Sequence, residues 1–150
     1  MEPIFGLTKT IGKEMATKWM KQESSKYWHR KPGMEHSKEF LGDYSIKRTK
    51  DLLNMSRRQV RILTAFLTGH CRTKYHLKKL GVRTDDACRI RSEEEETARH
   101  ILCECIGLKN LRKKTFYAWD GTATPEEIWK TNLKTLYIFL KDTRIVKNEY

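Results

Sequence analysis

Long apolar runs are missing from this chain. The longest is the five-residue stretch Leu136–Leu140, far short of the roughly 20 apolar residues a bilayer requires. A membrane-spanning helix is excluded on that ground, and no membrane partner is expected. Proline is scarce, with 3 residues, and none of the 8 glycines falls in a phosphate-loop or dinucleotide pattern, so neither a nucleotide cofactor nor a small-molecule substrate is expected. The stretch from Met1 to Lys9 has no apolar segment of signal-peptide length. Together with only 4 cysteines, this points to thiols or metal ligands rather than disulfides, and to an intracellular location, nuclear or cytoplasmic. Runs of alternating β-branched residues are absent too, which argues against a sheet. What is present is 150 residues, 38% apolar and 33% charged, enough for one domain with a modest core built around its aromatics.

Negative charge is lacking in one place in particular. The segment Ile46–Arg83 carries eleven basic residues against a single acid, Asp51, and so holds +10 of the chain's formal net charge of +12. Such an uneven distribution is the footprint of a polyanion binder, with a solvated basic face as the alternative. Nucleic acid, DNA or RNA, is the expected partner. An anionic membrane surface would demand a stronger apolar anchor than the segment offers.

The apolar spacing is helical nearly throughout, and the fold class expected is mainly α. Ile11, Met15 and Trp19 recur every four residues in a first helix running from about Thr10 to the Tyr27–His29 region, broken by Lys31-Pro32-Gly33. Short helices are expected over Glu35–Leu41 and Ile46–Asn54. Ser56-Arg57-Arg58-Gln59 is a capping box that opens a further helix, with Val60, Leu63, Phe66 and Leu67 on its inner face and Gly69 at its end. Cys71–Leu80 continues to Gly81. A polar loop over Val82–Glu96 carries Cys88, and Thr97 caps a short helix to Glu104. Leu108 and Leu111 suggest another helix. Thr124-Pro125-Glu126-Glu127 starts a last one, with Trp129, Leu133, Leu136 and Leu140 as its buried stripe. Core packing, rather than base stacking, is expected for each of the 4 tryptophans. The chain thus divides into an N-terminal helical segment (1–45), basic helices with a Cys/His module (46–112) and a C-terminal helix (113–150).

The residues with distinctive chemistry are Cys88, His100, Cys103 and Cys105, spaced Cys88-x2-Arg91-x8-His100-x4-Cys105. A cysteine at position 91 would complete a zinc site of two short segments. His70, Cys71 and His76 form a second, looser group, read as capping or packing residues.

The run Leu52-Leu53-Asn54-Met55-Ser56-Arg57-Arg58-Gln59, then Leu67-Thr68-Gly69-His70-Cys71, Leu77-x2-Leu80-Gly81, and Ala87-Cys88-Arg89 followed by Glu93–Glu96 and Thr97-Ala98-Arg99-His100-Ile101-Leu102-Cys103-Glu104-Cys105 resembles the C-terminal region of insect non-LTR retrotransposon reverse transcriptase polyproteins. That region follows their ribonuclease H domain. The likeness is most specific over 52–112 and extends more weakly over 1–51, through Ile4-Phe5-Gly6 and Trp28. It implies a small zinc-knuckle-like Cys-Cys-His-Cys module, with ligand positions that carry over onto Cys88, His100 and Cys105. Where the family pattern has its second cysteine, this chain has Arg91. The cofactor expectation is therefore none, or weakly bound zinc. Cys103, three residues from His100 and on the same face of a helix, is the candidate replacement ligand; as a small apolar residue it is equally a core candidate.

Catalysis is not expected. A two-metal nuclease needs converging carboxylates on a sheet, whereas Glu93–Glu96 reads as a solvated run and the Asp85-Asp86 pair as a turn. The expected function is that of a non-catalytic fragment or domesticated remnant of such a polyprotein, binding nucleic acid non-specifically through Arg57, Arg58, Arg61, Lys74, Lys78 and Lys79. The alternatives are a non-binding remnant, a helical protein-interaction module, or an accessory to a partner polymerase.

Overall fold

The computed structural model describes residues 8–118 and 120–146. Ile4, Phe5, Gly6 and Trp119 lie outside the described residues. The protein is mainly helical, and the one strand-like pairing among the described residues is an isolated antiparallel bridge between Ala87 and Glu95. The chain falls into two compact units, one ending at Gly33 and one beginning at Met34.

The first unit is helix α1, Lys9–Arg30, capped by the Thr8 hydroxyl, which accepts from the Ile11 N–H. Its apolar spacing does not produce burial. Ile11, Met15 and Trp19 are all exposed, Trp19 to 62%. The expectation of a core role for every tryptophan therefore fails at Trp19.

The second unit holds all the buried residues of the core. It begins with α2 (Glu35–Leu41) and α3 (Ile46–Leu53). Helix α4 (Arg57–Thr68) follows the capping box as the sequence predicts: Gln59 N–H donates to the Ser56 hydroxyl, and Ser56 N–H donates back to the Gln59 side chain at 2.9 Å. Its buried face is Ile62, Leu63, Phe66 and Leu67. Val60 is only half-buried, so the inner face is turned toward Ile62 relative to the predicted one. Each of the four is worth roughly 1.5–3 kcal/mol of burial. Helix α5 (Lys74–Lys79) is shorter than predicted because the Thr73 hydroxyl takes the cap, leaving Cys71 outside.

After the polar loop, the Thr97 hydroxyl accepts from the His100 N–H at 2.9 Å, as expected of a cap. The turn it opens is a wide π turn, His100–Glu104, closed by Cys105 N–H donating to the His100 carbonyl at 2.7 Å. A short 3-10 turn (Ile106–Leu108) leads into α6 (Lys109–Phe116). The predicted final helix is two. Helix α7 (Pro125–Lys130) ends where Asn132 caps a new helix, α8 (Leu133–Asp142), by accepting from the Lys134 N–H at 2.8 Å. The break moves Trp129 out of the predicted stripe. Its ring instead carries the Arg48 guanidinium at 4.1 Å, and Arg48 also donates to the Thr131 carbonyl. Helix α2 packs on α4 and α7, α4 on α8, and α6 on α8, so packing crosses both residue 45 and residue 112.

Candidate metal centre and basic face

The loop before the π turn is folded back on itself. Cys88 N–H donates to the Glu94 carbonyl and Glu96 N–H to the Asp86 carbonyl, each at 2.7 Å, on either side of the Ala87–Glu95 bridge. Ser92 N–H then closes a turn onto the Cys88 carbonyl at 2.7 Å. The result brings Cys88 against the end of the π turn. Cys88, His100 and Cys105 are all buried, and one ligand-capable atom from each lies within 4.8 Å of the others.

The two sulfurs are 3.8 Å apart. With Zn–S bonds of about 2.3 Å, the edge of a tetrahedron is about 3.8 Å, so the spacing is that of two thiolates on one zinc. The backbone N–H groups of Gly107 and Leu108 point at the Cys105 sulfur. Burial first and the neighbouring Cys88 second push the Cys105 thiol up, and these two N–H groups only oppose that rise. His100 is 5% exposed, and neither ring nitrogen has a hydrogen-bond partner. Glu94 Oε2 comes within 2.7 Å of Nδ1, but off the hydrogen-bonding direction. A buried imidazole without partners is costly, and a metal ion would satisfy it. The donor set, two sulfurs and an imidazole, suits zinc.

The remaining candidates fall elsewhere. Cys103 is buried in the core and outside the group, its thiol pushed up to about 12, chiefly by burial. Arg91 is exposed and pairs with Glu93 at 3.4 Å. Its side-chain stem lies over Gly107, where an added Cβ would meet Ile90 Cγ2 at 2.4 Å and Arg91 Cγ at 3.2 Å. Only a glycine lets the two segments of the site approach this closely. Cys71 is buried, and its thiol, too, is raised to about 12 by burial. His70 and His76 meet edge to face with ring centres 5.7 Å apart.

The acidic run is not uniformly solvated. Glu96 has no exposed surface. Its carboxylate accepts from the Lys74 N–H at the start of α5, from the Arg89 N–H, and from the Arg89 guanidinium at 2.7 and 2.8 Å. Sequence reasoning missed it because three neighbouring glutamates are exposed and nothing in the run marks the fourth. Arg112 was missed likewise. It is fully buried and donates to the carbonyls of Gly121, Ile101 and Cys105, fixing the backbone of the ligand segment.

The basic residues separate into two groups. Arg57, Arg58 and Arg61 are exposed on the first half of α4 with no carboxylate partner among the described residues. Lys74 and Lys78 are not free: they pair with Asp85 at 3.1 Å and Asp86 at 2.7 Å. Lys79 lies 5.6 Å from the Tyr75 ring centre. The charge excess read along the chain stops at Arg83, but the next two acids fold back onto it. No helix among the described residues is long and apolar enough to cross a membrane. Comparison with protein-family models, with curated proteins and with solved structures gives no match to this chain.

Proposed function

We propose that this chain is a non-catalytic helical module that holds zinc weakly at Cys88, His100 and Cys105 and docks on nucleic-acid phosphates through Arg57, Arg58 and Arg61. Its motif likeness to the tail of non-LTR retrotransposon polyproteins supports an origin as a fragment or domesticated remnant of one. The observation that carries the binding reading is the unpaired state of the three arginines, set on a rigid capped helix. Phosphate contacts position without reading bases, so binding is expected to be indifferent to sequence. With Lys74 and Lys78 already paired, roughly three phosphates are engaged, giving a log–log salt slope of about −3 on duplex DNA.

The test is titration of labelled duplex and single-stranded oligonucleotides at several salt concentrations. Replacing Arg57, Arg58 and Arg61 together by Ala should abolish nearly all of that slope. Replacing Lys74 and Lys78 should change it by less than one unit. An unchanged slope in the triple variant would leave the arginines as a solvated face and favour a protein-interaction module or a non-binding remnant.

A further inference from the structure

We propose that the metal centre has only three protein ligands and that its fourth position is open to a small exchangeable ligand, water or an inorganic anion. The inference rests on the zinc reading above and deepens it. Cys103 and Glu94 carry donor atoms that could close the site and the geometry turns both away, while position 91 holds an arginine, which has no lone pair for zinc. Cys103 lies outside the ligand group although it is only two residues from Cys105. Arg91 stands on the same tight turn as Cys88, the position from which a second thiolate would reach the ion. Its stem instead crosses Gly107 and its guanidinium goes to Glu93.

Glu94 sits on the other side of the imidazole. It groups with His100 and Glu104 and not with the two sulfurs, and it lies 2.7 Å from Nδ1. A carboxylate oxygen thus stands beside Nδ1, off its hydrogen-bonding direction, and Nε2 is the nitrogen left for the metal.

Three protein ligands are the pattern of a zinc whose fourth ligand exchanges rather than of a closed structural one. Zinc balanced by two thiolates and a neutral imidazole has no net charge, and Arg91 is paired with Glu93, so water or a small anion can take the fourth corner. The site's burial limits the occupant to a few atoms: Cys88 and Cys105 have no exposed surface.

Full-length protein loaded with cobalt(II) tests this, since cobalt absorbs according to coordination geometry and shows a separate thiolate charge-transfer band. One cobalt per chain is expected, with the thiolate band undiminished in Cys103→Ser and clearly weakened in Cys88→Ser. Sodium azide should shift the ligand-field bands of the natural protein. In Arg91→Cys the fourth corner is filled, so azide should have no effect and cobalt affinity should rise at least tenfold. Azide leaving the natural protein's bands unchanged, or shifting Arg91→Cys equally, would overturn the open position. A weakened thiolate band in Cys103→Ser would overturn it too, by making Cys103 the fourth ligand. Absence of any thiolate band in the natural protein would instead remove the metal reading itself.

Discussion

No carboxylate among the described residues forms an ion pair with Arg112 to answer its charge. Three carbonyl dipoles answer it instead, with Nε donating to Gly121 at 2.6 Å and the terminal nitrogens to Ile101 and Cys105. Burial lowers its pKa below the ordinary guanidinium value, opposed first by the neighbouring cysteines. Arg112→Met would take a donor from three buried carbonyls, of which Ile101 lies on the π turn and Cys105, just after it, keeps its bond from the Leu108 N–H. A loss of about 3 kcal/mol is expected, read by urea unfolding, with Arg112→Lys falling between. A loss below about 0.5 kcal/mol would mean that water replaces the guanidinium. Nothing in the sequence separates Arg112 from the surface charges beside it, Lys113 and Lys114, because burial of a charge depends on partners drawn from distant segments. The same holds for Glu96.

Helices α2 and α4 are joined through a histidine. His36 Nε2 donates to the Phe66 carbonyl at 2.9 Å, and its ring stacks on Phe40 at 4.5 Å. Gly69, at φ +76°, lies directly against it; an added Cβ would come 3.0 Å from His36 Cδ2. Burial, the largest influence, lowers the His36 pKa below its usual 6.5. The unfolded chain therefore takes up the proton first. Stability from this residue is complete above pH 6.5 and is lost as the pH falls from there toward the depressed folded value. The melting temperature should drop between pH 7 and pH 5, and His36→Gln should flatten that part of the profile. An equally steep profile in the variant would assign the loss to another group.

At this scale the sequence is informative wherever a helix carries its own punctuation. The bounds of α2, the capping box of α4, the Thr97 cap and the Thr124-Pro125 start are all where local chemistry places them. The π turn and the α7–α8 break are not legible. The first needs a backbone register set by packing, and the second is decided by Asn132 acting as a cap within an otherwise continuous apolar spacing.

For the molecule as a whole, what could be read was which residues have metal chemistry, and what could not was which of them meet. Cys88, His100 and Cys105 converge, while Cys103, the nearest in sequence, does not. Charge behaves in the same way. Summed along the chain, Lys74 and Lys78 belong to the basic segment; in space they belong to Asp85 and Asp86. One junction ties these two regions together. The buried Glu96 carboxylate receives the first backbone N–H of α5 and the backbone N–H following Cys88. A six-residue helix and an irregular loop would ordinarily lose their amide protons to solvent by fraying. Here neither the Lys74 nor the Arg89 amide can open without exposing a carboxylate shared by both. Their deuterium uptake should be as slow as that of α4, tracking opening of the whole unit from Met34 onward, and should accelerate together in Glu96→Gln. Uptake at the rate of an exposed loop would show the two segments opening independently. If the rates match, the basic helix and the cysteine loop unfold as one body, and an ion taken up at Cys88, His100 and Cys105 would slow exchange at α5 as well.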